Sequence, residues 1–166
     1  MAAGSLISEL EDAVKNGGPE KRVETLRRLT DFFLCESDRL TEQQITVFDD
    51  ILVHLVQRIE TKALVQLSTS LAPVDKAPIE VIRHLSRHDE ITVAGPTLTH
   101  STRLSEQDLI EIASSKSQGH LLAMSGRAFI QEGVTDVLIE RGDMQVHHTL
   151  AKNSVRTFRS SALPHL

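Results

Sequence analysis

Residues 93–123 read VAGPTLTHSTRLSEQDLIEIASSKSQGHLLA, and this stretch decides the fold because it contains one full step of a repeat. It holds three apolar pairs: Val93-Ala94, Leu109-Ile110 and Leu122-Ala123. Apolar residues around each pair recur at the three- to four-residue spacing of a helix that buries one face. The stretch therefore predicts short helices that belong to a repeated unit.

The same pairs recur outside this stretch at a nearly constant distance. One series keeps a step of 28 along the numbering: Val81-Ile82, Leu109-Ile110 and Val137-Leu138. The other has a step of 29 and then a step of 28: Val93-Ala94, Leu122-Ala123 and Leu150-Ala151. A two-helix unit cannot bury both sides of its helices alone, so neighbouring units stack and share a core. We therefore expect an all-α fold, a short α-solenoid of HEAT-like two-helix repeats preceded by an amino-terminal helical region.

Helix start and stop signals mark the amino-terminal region. Ser5 is predicted to cap the first helix, which ends at Gly17 and Gly18, and Pro19 suits the first turn of the second. The second helix carries one predicted apolar stripe: Val23, Leu26, Leu29, Phe33 and Leu34.

A capping-box pattern, Thr41 with Gln44, predicts the start of the next helical segment. The apolar pattern continues over residues 41–72 and leaves open whether they form one helix or two. Cap residues are also predicted for the repeated helices: Ser105 with Asp108, Asp89 and Asp143.

These signals divide the chain into three regions. Residues 1–59 are predicted to form the amino-terminal helical region, residues 60–153 the HEAT-like repeats of period 28–29, and residues 154–166 an irregular or disordered tail. Within the repeats, Gly95 and Pro96 are predicted to kink a helix, since Pro96 cannot donate to the carbonyl of Thr92, and Gly95 is expected to let a neighbouring helix approach closely.

Composition narrows the class of function. The 166 residues are 40% hydrophobic and 25% charged but only 3% aromatic, with no Trp or Tyr and a formal net charge of −5. Nucleic acid is therefore not an expected partner, because phosphate contacts need basic residues and base stacking needs aromatic ones. The most apolar run, at 51–56, is too short to span a bilayer, so we expect a cytoplasmic protein with no membrane partner.

Three residues are weak candidates for a metal site. Glu80, His84 and His88 are spaced by four residues, which places them on one side of a helix. The alternative is a solvated helix face, because Arg83 and Arg87 are interleaved and a nearby cation disfavours metal. The histidines His120 and His148, one repeat apart, and the neighbouring His147 are either a pH-sensitive or metal-binding column or groove-lining surface groups.

Catalytic residues are not expected, and neither is a cofactor. The acidic series Glu80, Asp108 and Asp136 is too widely spaced for paired catalytic carboxylates and better explained by helix amino-end capping. No nucleophile elbow, phosphate-binding glycine loop or dinucleotide fingerprint is present.

The cysteine and four arginines are given structural roles. Cys35 is interpreted as a buried structural residue, because the neighbouring Glu36 does not favour a reactive thiolate. Four arginines alternate with acidic residues and predict a solvated helix face, or a surface that meets an acidic partner: Arg22, Arg27, Arg28 and Arg39.

Three long blocks resemble the bacterial family known as domain of unknown function 2336 (DUF2336). They are FDDILVHLVQRIETKALVQLS, LSRHDEITVAGPTLTHSTRLSEQDLIEIASSKSQGHLLAMSGR and VTDVLIERGDMQVHHTLAKN. The resemblance runs from about Leu40 to Asn153 and implies helical repeats, without an activity, cofactor or catalytic residue. After Asn153 the chain departs from the family pattern, and we expect a truncation or frame change near Ser154 that leaves the last repeat uncapped.

A stack of helices without a catalytic constellation predicts a non-enzymatic scaffold for an unknown protein partner, such as a bacterial regulatory or signalling adaptor. The main alternative is a HEAT-like ligand- or metal-handling protein or enzyme with its site in the groove. A third is a structural element that forms a homo-oligomer through its uncapped carboxy-terminal repeat.

Overall fold

The computed structural model describes the backbone of residues 2–162 and the side chains of residues 7–153. Over residues 2–162 the chain is all-α, with ten α-helices, one 3-10 helix (Ser37–Arg39) and no strand. The helices are α1 (Ala2–Asn16), α2 (Pro19–Glu36), α3 (Glu42–Val56), α4 (Thr61–Leu71), α5 (Ile79–Ser86), α6 (Ile91–His100), α7 (Glu106–Ser115), α8 (Gln118–Ser125), α9 (Glu132–Arg141) and α10 (Met144–Ala162).

Local sequence signals set several helix ends. Pro19 begins α2, and both predicted capping boxes form. In the first, the Gln44 backbone N–H donates to Thr41 Oγ1 at 3.2 Å, while the Thr41 N–H donates to Gln44 Oε1 at 2.9 Å. The break between α3 and α4 answers the question that the sequence left open, because residues 41–72 form two helices rather than one.

Of the three other predicted caps, one is confirmed and two are wrong. Asp143 Oδ1 accepts from the Val146 N–H at 3.0 Å and so caps α10. Ser5 lies inside α1, which begins at Ala2. Asp89 does not cap α6, because the capping position is Glu90 and the Asp89 carboxylate instead pairs with Lys116 at 2.7 Å. Ser5 is thus too far into its helix to cap it, and the Asp89 carboxylate is occupied by an ion pair.

Alternate helices pack side by side and form two layers. One layer contains α1, α3 and α5 followed by α7 and α9, and the other contains α2, α4, α6, α8 and α10. A single buried apolar cluster runs between the layers from Leu10 to Leu150, and it crosses the predicted boundary at residues 59 and 60 through Ile59 and Ala63. One predicted member of the α2 stripe is misplaced: Leu34 is 49% exposed.

Burial corrects the register of the second apolar series. The sequence aligned Val93 with Leu122, a step of 29, but Leu122 is only half-buried and its neighbour Leu121 is fully buried. Hydrogen bonds agree with a step of 28: Thr97 Oγ1 donates to a carbonyl three residues earlier, and Ser125 Oγ does the same. From Leu121 the equivalent buried apolar residue on α10 is Leu150, a step of 29, so the spacing of equivalent buried positions stays close to 28 without being constant.

The carboxy-terminal helix is longer than the sequence predicted. Helix α10 continues through residue 162, whereas the pattern predicted an irregular or disordered tail over residues 154–166. Residues 163–166 lie outside the described part of the chain. The segment 144–162 contains no Gly or Pro, so no residue in it breaks a helix.

The Gly95-Pro96 pair lies within α6, so the chain does not leave the helix at Ala94. Pro96 removes one backbone donor from the helix, and the kink stays a prediction. The expected role of Gly95 is wrong, because a Cβ added there would meet no atom of a neighbouring helix within 4 Å. A different reason applies: a side chain immediately before proline crowds the proline ring in helical conformation, and glycine avoids this.

We expect the Pro96→Ala variant to unfold with a free energy about 1–2 kcal/mol higher than wild type, since it regains a helical hydrogen bond. Gly95→Ala is expected to leave the free energy of unfolding unchanged in the wild-type background and to raise it by about 1 kcal/mol in the Pro96→Ala background. Urea unfolding of the two single variants and the double variant measures this coupling. Equal gains from Gly95→Ala in both backgrounds would contradict the explanation.

Candidate functional site

A cleft of about 520 Å³ lies where the loop after α6, the loop after α8 and helix α10 meet. We call it the Phe129 cleft and define it by its lining residues: Thr99, His100, Ser101, Thr102, Leu104, Gly126, Arg127, Ala128, Phe129, Gln131 and Asn153. Most of these residues are polar, and the cleft falls within the size range of ligand sites.

Arg127 joins the two loops of the cleft. Its Nη1 donates to the carbonyl of Leu98 at 2.6 Å, and its Nη2 donates to the carbonyl of Ser101 at 2.7 Å. The last carbonyls of a helix have no partner within it, so the guanidinium satisfies the end of α6. Burial lowers the pKa of the Arg127 guanidinium. In the described part of the chain, its buried Nε has no hydrogen-bond partner.

The same kind of contact recurs along the stack. Three side chains each donate to a backbone carbonyl 26 residues earlier: Arg103 to Ala77 at 2.8 Å, Arg127 to Ser101 at 2.7 Å and Asn153 to Arg127 at 2.6 Å. Two of these contacts form the walls of the Phe129 cleft. Because both loops are held by side chains from later in the chain, the walls of the cleft are fixed relative to each other.

Phe129 is an exposed aromatic residue beside the cleft. Its side chain is 67% exposed, although aromatic side chains gain most from burial. It follows the exposed Ala128 in the loop after α8. The other described phenylalanines, Phe32, Phe33 and Phe48, contact one another with ring centroids 5.3–6.1 Å apart. An exposed aromatic beside a cleft is typical of a binding surface.

The charge of the cleft differs from that of the chain. Among the described residues that line it, none is Asp or Glu, whereas the chain as a whole has a net charge of −5. Arg127 and His100 supply its basic groups. The Arg127 contacts described above are to carbonyls at the carboxyl end of α6, and no ion pair joins Arg127 to a carboxylate among the described residues.

The metal candidates do not form a site. Glu80 pairs with Arg83 at 2.6 Å, and His88 lies beyond the end of α5, so the three residues do not share one helix. Burial lowers the pKa of His84, and the nearby His88 lowers it further. Over the residues that the structure describes, no three His, Cys, Asp or Glu side chains are placed to hold a metal ion.

The histidines separate into a buried residue and exposed ones. His120 is buried, with Nδ1 2.7 Å from Ser117 Oγ and Nε2 2.7 Å from the carbonyl of His88. His147 is exposed and its Nε2 is 2.8 Å from the carbonyl of Ile139, while His148 lies next to it on α10. His120 thus links the start of α8 to the loop after α5 through hydrogen bonds. It does not form a solvent-facing column with His147 and His148.

Asp108 is the buried member of the acidic series. It completes the capping box with Ser105 and lies 3.1 Å from Arg83 Nε and 3.3 Å from Arg87 Nη2. Burial would raise its pKa, but hydrogen bonds from Ser105 and Arg83 outweigh burial and lower it. Asp136, one repeat later, is exposed. The predicted capping role is therefore confirmed for Asp108, which also links α5 to α7.

Because its pKa is lowered in the folded chain, Asp108 stabilises the fold above its unfolded pKa and loses this effect as pH falls. We expect Asp108→Asn to lower the free energy of unfolding by about 1–2 kcal/mol at pH 7, with the difference shrinking below about pH 4. Urea unfolding from pH 7 to pH 3 measures it. Asp136→Asn is the control at an exposed carboxylate. If Asp108→Asn lowered the free energy of unfolding equally at every pH, the stabilising role of the ionised Asp108 carboxylate would be contradicted.

One interpretation of the segment 19–39 changes and another agrees with the structure. Cys35 is exposed, so its interpretation as a buried structural residue is wrong; the helix turns it away from the buried Phe33. Arg28 pairs with Glu9 at 2.7 Å and Arg39 with Glu36 at 3.5 Å, as a charged helix face requires.

Asp49 is a structural residue that the sequence did not reveal. It is buried on α3, and its two oxygens accept from the backbone N–H groups of Glu80 at 2.8 Å and Val81 at 3.0 Å. It therefore caps α5 from another helix, in place of the Pro78 side chain, which has no acceptor. Burial raises the pKa of Asp49, and the two backbone hydrogen bonds oppose this rise.

In residues 2–162, no helix combines the length and apolar character needed to cross a membrane. Residues 93–166 match the profile of a family described as "Uncharacterised protein conserved in bacteria (DUF2336)". The match begins later than the resemblance from Leu40 and continues past Asn153 to residue 166. No curated protein and no solved structure matches the chain. All residues that line the Phe129 cleft lie within the matched range.

Proposed function

We propose that residues 93–166, the part of the chain that matches the DUF2336 family profile, form a non-enzymatic helical-repeat scaffold that binds another protein. The binding site of this scaffold is the Phe129 cleft. A partner bound there links the chain to a regulatory or signalling assembly, which is the role of an adaptor.

The observation that carries the proposal is the 67% exposure of Phe129 at the rim of a framed cleft. Burying an aromatic side chain against a partner removes a large apolar area from water, at about 25 cal/mol per Å². A fixed frame reduces the entropy lost on binding. Exposed aromatic side chains with these properties are frequent binding hot spots.

The fold assigned to this scaffold is a short HEAT-like solenoid. Three features support it: alternate helices pack into two layers, equivalent buried positions recur at steps of 28 or 29, as Val93, Leu121 and Leu150 do, and side chains of one unit bind carbonyls of the preceding unit. In such a stack each unit contacts chiefly its neighbours, which leaves a row of loops for recognition. The Phe129 cleft lies between two of these loops.

The proposal is tested by affinity capture from the source bacterium with wild-type chain and the Phe129→Ala variant. We expect at least one protein enriched by wild type to be depleted about tenfold with Phe129→Ala, a loss typical of a hot-spot residue. Met144→Ala is the matched control, because Met144 is 88% exposed and lies outside the cleft. Quantitative mass spectrometry of the captured proteins gives the readout.

The other hypotheses predict different outcomes. Equal capture by wild type and Phe129→Ala, with a metal or small molecule bound instead, would favour a ligand-handling protein or an enzyme. Self-association lost only in Met144→Ala would favour a homo-oligomer through the last repeat, where Ile139 is 55% exposed. Either outcome would overturn the scaffold proposal.

A further inference from the structure

We propose that the occupant of the Phe129 cleft is an extended, acidic segment of a partner protein, with one apolar side chain packed on the Phe129 ring. This inference rests on the proposed function and adds the chemistry of the partner. The occupant is a polypeptide segment rather than a nucleic acid, and charge, hydrogen bonding and the apolar contact each support it.

Charge complementarity gives the sign of the partner. Most arginines with polar contacts in the described part of the chain face a carboxylate, as Arg83 faces Asp108 and Arg28 faces Glu9. Arg127 instead donates to two neutral carbonyls, and no carboxylate is among the described residues that line the cleft. Its positive charge, with His100 at the rim, therefore favours a negatively charged ligand in an otherwise acidic protein.

The polar lining indicates an extended segment. A helix docks through an apolar stripe, because its backbone groups are already paired, whereas an extended segment has free N–H and C=O groups. The cleft wall includes the exposed Thr102, whose hydroxyl donates to Asp75 Oδ1 at 3.1 Å and whose oxygen can still accept from such a backbone. In addition, the Gln131 Oε1 acceptor on its wall is buried without a partner in the part of the chain that the structure describes.

Phe129 supplies the apolar part of the contact. Its ring is exposed at one side of the polar cleft, next to the exposed Ala128. A segment that places a carboxylate near Arg127 and an apolar side chain on this ring satisfies both parts of the surface. The partner is thus distinguished from a purely electrostatic polyanion by its dependence on Phe129.

The test is selection of a random 12-residue phage-displayed peptide library on the full chain, followed by fluorescence polarisation with the selected peptide carrying fluorescein. We expect the selected peptides to be enriched in Asp and Glu. Phe129→Ala and Ala128→Glu should each weaken binding at least about tenfold, the second by placing a like charge beside the ligand. Gln43→Glu, which adds the same charge at an exposed position on α3, should leave binding unchanged.

Each other outcome overturns the inference. Peptides that depend on Phe129 but are not acidic, or that bind Ala128→Glu as well as wild type, would reject the acidic partner and leave the scaffold proposal standing. Equal binding of the selected peptides and their Asn/Gln counterparts would also reject it, because the carboxylates would then contribute nothing. Peptides whose binding ignores Phe129 would reject the cleft as the binding site and with it the scaffold proposal. Phe129-dependent binding of a fluorescein-labelled 20-nucleotide single-stranded DNA, stronger than binding of the peptide, would replace the polypeptide with a nucleic acid.

Discussion

We expect the Arg127→Met variant to unfold with a free energy about 3 kcal/mol lower than that of wild type. Methionine keeps the apolar part of the side chain but leaves the carbonyls of Leu98 and Ser101 without their donors. A hydrogen bond from a charged group contributes about 1.5–3 kcal/mol, and two are lost while the position of Ser101 stays buried. Urea unfolding followed by circular dichroism measures the difference.

Two variants separate this effect from a general loss of charge. Arg127→Lys keeps the charge but cannot make both contacts with one planar group, so about half of the loss is expected. Arg28→Met removes an exposed ion pair and should cost less than about 1 kcal/mol. Equal losses at Arg127 and Arg28 would show that the guanidinium does not hold the loops of the cleft.

The Asp49→Ala variant is expected to lose about 2–3 kcal/mol of unfolding free energy. The backbone N–H groups of Glu80 and Val81 would have no acceptor, and α5 has only eight residues over which to absorb the loss of its cap. Removing a helix cap costs about 1 kcal/mol, and a buried unsatisfied donor costs a further 1–3 kcal/mol.

Asp50→Ala is the matched control, because Asp50 is the next residue on α3 and is exposed. We expect it to change stability by less than about 0.5 kcal/mol. Hydrogen exchange of the Val81 amide adds a local readout, since it should lose protection in Asp49→Ala before the rest of α5 does. Unchanged protection at Val81 would contradict the capping role.

Local signals explain what the sequence could predict. The pairs Thr41 with Gln44 and Ser105 with Asp108 lie three residues apart, so each capping box is fixed by a single turn of chain. Pro19 has the same local character. The all-α fold follows from an apolar spacing that repeats along the chain.

Contacts between distant residues explain what it could not. Asp49 binds backbone groups more than 30 residues later, and Arg127 binds a carbonyl 26 residues earlier; backbone acceptors and donors leave no mark on the sequence. The exposure of Leu34 and Cys35 likewise depends on which face of α2 the other helices cover.

The Phe129 cleft depends both on a local sequence signal and on contacts between distant residues. Its residues come from two loops and α10, so no short motif contains them. One signal was available in the sequence: Phe129 lies in a turn segment, apart from the other four phenylalanines and outside both apolar series. Phe129 accordingly lies outside the buried apolar cluster.

The most direct test of the scaffold proposal is photo-crosslinking in living cells, with p-benzoylphenylalanine in place of Phe129. The aromatic replacement keeps the shape of the site and reports only on proteins in contact with it. We predict discrete crosslinked proteins from position 129 and none of the same mass from position 144, which is more exposed. The same products from both positions, or none from position 129, would contradict a protein-binding role for the cleft.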